Sequence, residues 1–447
     1  MRLCNLAPVS CVLSTLLMLS FVAKATTNAC DPASHHAIAD GKTVITQQLQ
    51  QTIDACSQQG GGIVSLHKGL WLSGPLSLKE GVTLNLEQGS TLQADNREKQ
   101  FKHAFIEMKA QTGEAFILAN HVNHVGITGN GTLNGSGKKL WRLEALKVHQ
   151  IINFPATKEH LFTHSPGTLT NNIPKPWLIE FNAVKHGQIG AILATKSPMK
   201  TIVLRNSQYI SLDGTRISNP ENIPNSDGIH IIASQHITMK HLDISTKDND
   251  IAIQSGRANE PSRPHASSDI NILDSVIHQG QGISISSNTA NGIGKIYIHR
   301  VRFANTLNGF RVHSTRGYGA PIGPITINNI KMIDVKTPLL LTESDAEPAS
   351  IAVPALSTIK AVLKPKTAPI IHDVSIINLV AVNANVAGVF NGLPESPLQN
   401  IQLKYIDIRS KRGIKTSYAH ISAAHVHIST EQGQPFNLGP GTELTAN

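Results

Sequence analysis

The chain has 447 residues, of which 40% are hydrophobic, 4% aromatic and 15% charged. This apolar fraction excludes a disordered chain, and one elongated domain can absorb the length. The formal net charge is +9. Because no Lys/Arg cluster is interleaved with aromatic residues, the sequence gives no support for a nucleic-acid surface, and the basic character favours an acidic polymer as partner.

The N-terminus has the pattern of a secretory signal peptide. Arg2 precedes an apolar run over residues 9–22, and Ala23-Lys24-Ala25 follows as a small-x-small cleavage pattern. A membrane anchor needs about 20 apolar residues, so the shorter run favours export. We predict a signal peptide over residues 1–25 and a mature chain over residues 26–447, secreted or periplasmic and without membrane attachment.

The mature chain keeps two cysteines, Cys30 and Cys56. In an exported protein, two thiols favour one disulfide. It would close a loop of about 26 residues and stabilise the fold by about 3 kcal/mol. The alternative is one buried thiol and one free thiol.

One helix is predicted, followed by a long series of short strands. Ile45, Leu49 and Ile53 have helical spacing within residues 43–58, and Gly60-Gly61-Gly62 ends the helix. Downstream, short β-branched runs alternate with Asn, Ser, Asp and Gly. The leading apolar positions of these runs are Ile189, Ile210, Ile237, Ile270, Ile296, Ile325, Val374 and Ile401.

The spacing of these runs indicates a solenoid. Successive gaps are roughly 21 to 33 residues, and the gap from Ile325 to Val374 is about twice as long. Because the segments are strand-like, we predict an all-β, single-stranded right-handed parallel β-helix with an N-terminal capping helix over the open strand edges. Residues 141–177 break the rhythm and are predicted to form a long loop beside a groove. No composition break indicates a second domain.

Two carboxylates lie about one coil apart. Asp227 is in Asn225-Ser226-Asp227-Gly228, and Asp248 is in Lys247-Asp248-Asn249-Asp250. Positions one coil apart in a β-helix stack about 4.8 Å apart, so both carboxyls can face one groove. Glycoside hydrolysis requires such a pair, one as acid and one as base. The alternative is that they are turn residues that accept backbone N–H groups.

The order of four motifs resembles that of the polygalacturonase-type hydrolases, a family of pectin-degrading β-helix enzymes. That family typically has Asn-Thr-Asp-Gly, Gly-Asp-Asp-x-Ile-Ala-Ile-Lys, Gly-His-Gly and Arg-Ile-Lys. The corresponding segments here are Asn225-Ser226-Asp227-Gly228, Asp248-Asn249-Asp250-Ile251-Ala252-Ile253-Gln254, Gly280-Gln281-Gly282 and Arg311-Val312-His313. In the N-terminal half, Gly131-Thr132-Leu133-Asn134-Gly135 and Ser197-Pro198 also look like the family.

The resemblance implies an inverting hydrolysis of α-1,4-galacturonan (pectate) or a related acidic polysaccharide, without a metal or another cofactor. It implies Asp248 as the general acid and Asp227 as the base. Arg311 would bind the carboxylate of a sugar, a task that suits a guanidinium, and Asn225 would contact the substrate. A monomer is expected.

Two residues at catalytic positions differ from the family. Asn249 stands where the second Asp is expected, and an amide can hold a water molecule but cannot accept its proton. With one negative charge fewer, the pKa of Asp248 is expected to rise less, so that Asp248 would lose its proton at a lower pH. Gln281 replaces a His and retains a hydrogen bond without a charge.

Two further residues are assigned to substrate binding. His313 replaces the Lys that follows Arg311, and it becomes a full cation only in mildly acidic conditions. Asp250 lies two residues after Asp248, so in a straight strand it would share its face and could replace the missing carboxylate. The alternative for Asp250 is a structural residue bonded to the backbone.

Three functions remain open from the sequence. The first is the hydrolase described above, and the second is a weak or inactive relative that binds acidic polysaccharide without cleaving it. The third is a β-helix lyase, which usually needs a calcium-binding carboxylate cluster and a basic residue positioned to remove a proton. We find no such constellation around Arg311. Endo and exo action are not distinguished.

Overall fold

The computed structural model describes residues 28–95, 101, 115–137, 176–220, 226–256, 265–286, 288–343 and 368–446. The predicted signal peptide, Asn225 and residues 141–175 of the predicted loop lie outside the described residues.

The described chain consists of one α-helix, one short 3-10 helix and many strands. The N-terminal elements are the 3-10 helix Pro32–His35, β1 (Asp40–Val44), α1 (Thr46–Gln58), β2 (Gly62–Leu66), β3 (Gly69–Ser73), β4 (Leu76–Leu78), β5 (Val82–Leu86), β6 (Ser90–Ala94), β7 (Ile117–Asn120), β8 (Asn123–Gly129) and β9 (Thr132–Asn134). The central strands are β10 (Ile179–Asn182), β11 (Lys185–Ile189), β12 (Leu193–Thr195), β13 (Ile202–Arg205), β14 (Gln208–Asp213), β15 (Arg216–Ser218), β16 (Ile229–Ile232), β17 (Gln235–Lys240), β18 (Asp243–Ser245), β19 (Ile251–Gln254), β20 (Ser267–Leu273), β21 (Val276–His278), β22 (Ile283–Ser286), β23 (Ile293–His299), β24 (Arg302–Ala304) and β25 (Asn308–His313). The C-terminal strands are β26 (Pro321–Ile322), β27 (Ile325–Ile333), β28 (Thr337–Thr342), β29 (Ile370–Asn391), β30 (Leu398–Ser417), β31 (Ala419–Leu438) and β32 (Thr442–Ala446).

From β4 to β25, each strand pairs in parallel with the strand three positions further along the chain. Three strands therefore complete one coil, and the coils stack into three parallel sheets. Parallel connections of this kind are right-handed, and the fold is a right-handed parallel β-helix, as predicted. We call the sheet that contains β10, β13, β16, β19, β22 and β25 sheet 1.

Columns of apolar side chains fill the interior. In sheet 1, one column of fully buried residues passes through consecutive strands in register. It comprises Ile202, Ile229, Ile251, Ile283 and Phe310. Each such side chain contributes about 1.5–3 kcal/mol by its burial, which explains the recurring pattern in the sequence.

The predicted repeat is confirmed with one correction. The other leading positions lie in register, from Ile210 through Ile237 to Ile401. Ile189, in contrast, pairs with Leu212, and Gly187 is the residue that pairs with Ile210. A Cβ on Gly187 would lie 2.9 Å from the ring of Phe181, which occupies this space. The smallest residue therefore stands where the pattern predicts a large one.

Helix α1 packs against β2, β4 and β5 and buries Leu49 and Ile53. A disulfide joins Cys30 to Cys56, and Cys56 lies on α1. This confirms the predicted pairing. The role of α1 as a cap stays a prediction. Among the described residues, no helix has the length and apolar character needed to cross a bilayer.

A ladder of aromatic rings follows the coils on the outside. His124, His186, Tyr209 and His236 each have a left-handed backbone conformation. Their rings stack with centroids 4.9, 5.1 and 4.6 Å apart, close to the rise of one coil.

Candidate active site

Functional side chains gather where four consecutive strands of sheet 1 begin. Four of them occupy equivalent positions, two residues before the first inward residue of β13, β16, β19 and β22. They are Lys200, Asp227, Asn249 and Gln281, and we call them the polar column. Because the strands are in register, neighbours in this column are about 4.8 Å apart along the axis. The residues of the sequence motifs are thus brought together.

A second column lies on the outward face of the same strands. It comprises Val203, His230, Ala252, Ser284 and Arg311. The small side chains of Ala252 and Ser284 separate His230 from Arg311. The outward face therefore has an imidazole on one side and a guanidinium on the other side of the coil that carries Asp248.

Asp227 is buried and has two nitrogen partners. Its Oδ2 forms an ion pair with Lys200 Nζ, and the two side chains are 4% and 13% exposed. His230 Nδ1 lies 3.0 Å from the same oxygen. Burial raises the pKa of Asp227, but the charge of Lys200 and the hydrogen bond from His230 together outweigh it and bring the pKa to about 2. Asp227 is therefore ionised over nearly the whole pH range.

His230 links Asp227 to the next coil. Its Nε2 lies 3.0 Å from Oε1 of Gln254, and Gln254 donates through Nε2 to the carbonyl oxygen of Ser286, at 3.0 Å. Burial, followed by the positive charge of Lys200, lowers the pKa of His230. A neutral imidazole has a single N–H, so when Nδ1 donates it to Asp227 and orients the carboxylate, Nε2 has no proton for Oε1 of Gln254. An imidazolium would donate to both oxygens.

Asp248 lies next to this pair and is held by Asn249. The backbone N–H of Asn249 and its side-chain Nδ2 both donate to Oδ1 of Asp248, at 2.9 and 3.1 Å. Oδ1 of Asn249 is buried and has no hydrogen-bond partner within the described ranges. Asn249 thus fixes one oxygen of Asp248 and leaves its own oxygen available to a further donor.

Burial has the largest influence on the pKa of Asp248. Burial, and next the negative charge of Asp227, raise the pKa of Asp248 to about 6, against the opposing effects of Lys200, the Asn249 backbone N–H and Arg311. The expectation that this rise is smaller than it would be with a carboxylate at position 249 stays a prediction. Desolvation is the larger cause here, so Asp248 keeps its proton in mildly acidic solution despite the exchange.

Asp250 does not have the position that the sequence predicted. It is completely buried. Its Oδ2 accepts from the N–H of Gly282 at 2.8 Å, and its Oδ1 lies 2.9 Å from Oγ1 of Thr246. The argument from a straight strand does not apply because β19 begins only at Ile251. A sugar cannot reach this carboxyl, so Asp250 has the structural role that was the alternative.

The turn Gly280-Gln281-Gly282 covers Asp250 closely. A Cβ on Gly280 would lie 2.5 Å from Oδ2 of Asp250, and Gly280 has a φ of 76°, so only glycine fits. The backbone N–H of Gln281 donates to the carbonyl oxygen of Asp248, at 2.9 Å. Gln281 therefore lies beside the carboxyl pair, as the motif order predicted.

Arg311 and His313 lie on β25. Arg311 is half-buried, and its positive charge acts on Asp248. Its Nη2 lies 3.2 Å from Nδ1 of His313, and His313 is only 4% exposed. The ring can accept from the guanidinium, so the structure supports His313 as a neighbour that orients Arg311 and does not support the predicted direct contact with substrate.

Sequence reasoning missed Lys200 and His230. Lys200 follows Ser197-Pro198 by two residues, and His230 follows Asp227 by three. For Lys200 the spacing indicates no contact, since the pairing of β13 with β16 brings it to Asp227. His230 contacts Asp227 across three residues where β16 begins, a local contact for which the sequence shows no recognisable pattern. Within the described ranges, no group of three or more His, Cys, Asp or Glu side chains is arranged to hold a metal ion.

Comparisons with known proteins agree with this geometry. The sequence profile of the glycosyl hydrolases family 28 matches residues 56–429. The endo-polygalacturonase of Pectobacterium carotovorum subsp. carotovorum is 27% identical over 318 residues, which are 69% of this chain and 74% of that protein.

Solved structures share the fold. The family 28 exopolygalacturonase of Yersinia enterocolitica has a TM-score of 0.77 at 19% identity, over 93% of this chain and 77% of that one. The hyperthermoactive exopolygalacturonase of Thermotoga maritima has a TM-score of 0.67 at 19% identity, over 93% and 91%. Because the profile covers most of the sequence, the chain belongs to the glycosyl hydrolases family 28, and the predicted polygalacturonase-type family is confirmed.

Proposed function

We propose that this member of family 28 is an exported, monomeric hydrolase that cleaves α-1,4-galacturonan (pectate) or a related acidic polysaccharide with inversion at the anomeric carbon. The observation that carries the proposal is the split between two neighbouring carboxyls, with the pKa of Asp227 at about 2 and that of Asp248 at about 6. Such a split assigns one carboxyl as base and the other as acid. The polygalacturonase relatives support the substrate class.

In the proposed mechanism, protonated Asp248 donates its proton to the glycosidic oxygen as the bond to the anomeric carbon breaks. A water molecule attacks this carbon from the opposite side and transfers a proton to the carboxylate of Asp227. Oδ1 of Asn249 has no hydrogen-bond partner among the described residues but is shielded from solvent, so it accepts a hydrogen bond from this water once substrate binding exposes it. An amide thereby orients the nucleophile, although it cannot take its proton.

Charge supports an acidic substrate. Lys200 and Arg311 contribute two positive charges around Asp227 and Asp248. Asn249, which is uncharged, stands where the motif led us to expect a third carboxylate. When Asp248 is protonated, the site has a net positive charge. A polymer of uronates would be attracted by it, and the guanidinium of Arg311 suits a carboxylate.

The test is release of reducing ends from polygalacturonate at mildly acidic pH by the secreted chain, with the anomer of the product followed by proton NMR. We expect Asp227→Asn and Asp248→Asn each to lose about 10²- to 10⁴-fold in kcat. Asp243→Asn is the matched control, because Asp243 is 58% exposed on β18, and its activity should be unchanged. A folded wild-type chain that releases nothing between pH 3 and 7 would refute the proposal.

A second candidate is a relative that binds acidic polysaccharide without cleaving it. The observation in its favour is the low pKa of Asp227, which makes this carboxylate a weak base. This candidate predicts saturable, salt-sensitive pectate binding without chain shortening, and a gain of cleavage in Asn249→Asp. Rapid depolymerisation by the wild type would eliminate it.

A further inference from the structure

Hydrogen bonds hold the segment that carries Lys200. Ser197 donates through Oγ to the carbonyl oxygen of Lys200, at 2.9 Å. The side chain of Asn219 accepts from the N–H of Ser197 at 3.0 Å and donates to Oγ1 of Thr201 at 2.7 Å. Thr201 N–H donates to the carbonyl oxygen of Asp227, also at 2.9 Å. The segment 197–201 is thus bonded to the coil that carries Asp227.

The side chain of Lys200 extends this arrangement into the polar column. Lys200 belongs to the coil before that of Asp227, and its ammonium contacts Oδ2 of Asp227 directly. Both side chains are largely shielded from water. A surface ion pair contributes little because water screens it, whereas a shielded pair acts strongly on its partner. The Lys200–Asp227 pair is of the second kind.

Lys200 also acts on Asp248. The charged or titratable groups around the pair are Lys200 before β13, His230 on β16, Asp250 below the turn and Arg311 on β25. Of these, Lys200 is the one that forms an ion pair with Asp227 and also influences Asp248. Its charge offsets that of Asp227, which otherwise favours the protonated form of Asp248.

We propose that Lys200 is a positioning residue of the active site that sets the charge state of both carboxyls. It keeps Asp227 ionised, and it limits how strongly Asp227 holds the proton on Asp248. This inference rests on the proposed function in one respect: the two carboxyls must be the acid and the base for Lys200 to affect the rate. The polar column, with an ammonium beside the base and an amide beside the acid, replaces a cluster of three carboxylates.

The experiment measures kcat/KM on polygalacturonate against pH for the wild type, Lys200→Met and Lys200→Arg. In Lys200→Met we expect both limbs of the profile to move to higher pH by about one unit or more, because a unit corresponds to a tenfold change in the protonation equilibrium. Lys200→Arg keeps the charge and should leave the limbs near the wild-type values. Lys240→Met is the matched control, since Lys240 pairs with Asp213 on the exposed surface.

A merely structural ion pair would lower kcat or thermal stability in Lys200→Met without moving the limbs, and that result would overturn the proposal. Lys200→Gln provides a second neutral variant if the methionine variant does not fold.

A readout independent of cleavage is the titration of the Asp227 carboxyl carbon by NMR, assigned by its loss in Asp227→Asn. This carbon should not titrate above pH 3 in the wild type and should do so in Lys200→Met. An inactive wild type would refute the hydrolase, while this titration would still decide the role of Lys200.

Discussion

Asp227 and Glu180 lie on sheet 1, two coils apart, and each is buried against one basic side chain. Lys200 pairs with Asp227, and Nη2 of Arg205 lies 2.5 Å from Oε1 of Glu180. The pKa of Asp227 falls to about 2, whereas burial raises the pKa of Glu180 to about 7 against the opposing charge of Arg205. One cation near a buried carboxyl is therefore not enough to keep it ionised.

The difference lies in the number of groups that favour the charged form. Asp227 has the hydrogen bond from His230 in addition to Lys200. Oε2 of Glu180 is buried and has no hydrogen-bond partner among the residues that the structure describes. Asp250 extends the series, because no cation is among the main influences on its carboxyl and burial raises its pKa well above the usual range. Hydrogen bonds and cations together offset desolvation, and fewer of them leave the proton in place.

Removing the cation from the Glu180 pair should give the largest effect. In Arg205→Met we expect a loss of about 3–5 kcal/mol in the free energy of unfolding at pH 8, because Glu180 is left as an uncompensated buried charge. Its pKa then rises further above that of the unfolded chain. A carboxyl of this kind stabilises the fold at low pH and loses this contribution as the pH rises through its folded pKa, so the deficit should shrink at pH 4.5. Urea unfolding at both pH values measures it.

Two controls accompany this variant. Arg300→Met removes a similar charge from an exposed pair with Asp274 and should change stability far less. The double variant Glu180→Gln, Arg205→Met removes both charges and should recover much of the loss. An equal deficit at pH 4.5 and pH 8 would mean that lost packing of Arg205 against the ring of Trp177, and not charge, is the cause.

Asp250, whose carboxyl has no cation among its main influences, tests whether a buried carboxyl without a cation keeps its proton. Oγ1 of Thr246 lies 3.0 Å from the carbonyl oxygen of Asp248 and 2.9 Å from Oδ1 of Asp250, and its single proton can serve only one of them. A protonated Asp250 can donate to Thr246, and the Nδ2 of an asparagine can do the same. We therefore expect Asp250→Asn to stay within about 0.5 kcal/mol of the wild type, whereas Asp250→Ala leaves the buried N–H of Gly282 unpaired and loses about 1–3 kcal/mol. Equal losses in chemical denaturation would indicate an ionised Asp250.

The fold was predictable because its signal is repeated in every coil. Inward positions such as Ile229 and Ile251 must be apolar, and stacking places equivalent residues in register. The one misplaced position, Ile189, depends on how the ring of Phe181 fills the space beside Gly187. Such complementary packing between different strands has no local pattern in the sequence.

The site was predictable only in part, for a related reason. The motifs placed Asp227 near Asp248, since each lies shortly before a strand of sheet 1 in successive coils. The contact of Lys200 with Asp227 and the pKa of Asp248 depend on register and on burial, which are properties of the folded chain. Asp250 was misassigned because strand alternation was applied to a residue that precedes its strand.

The two catalytic carboxyls set the pH dependence of the activity. The active form needs Asp227 ionised and Asp248 protonated, so kcat/KM on polygalacturonate should be greatest between about pH 2 and about pH 6. Above pH 6 Asp248 loses its proton, and the rate should fall about tenfold per unit. Measurements from pH 3 to pH 8 locate this limb.

Asn249→Asp is the variant that distinguishes the causes. It places a carboxylate next to Asp248, and the added negative charge should move the basic limb to higher pH. Because burial is the larger cause in the wild type, the shift should be smaller than the rise that burial already produces. A wild-type limb near pH 4 that moves to about pH 6 only in Asn249→Asp would show that charge, and not desolvation, keeps the proton on Asp248, and Asp248 would then obey the same rule as Asp227 rather than that of Glu180.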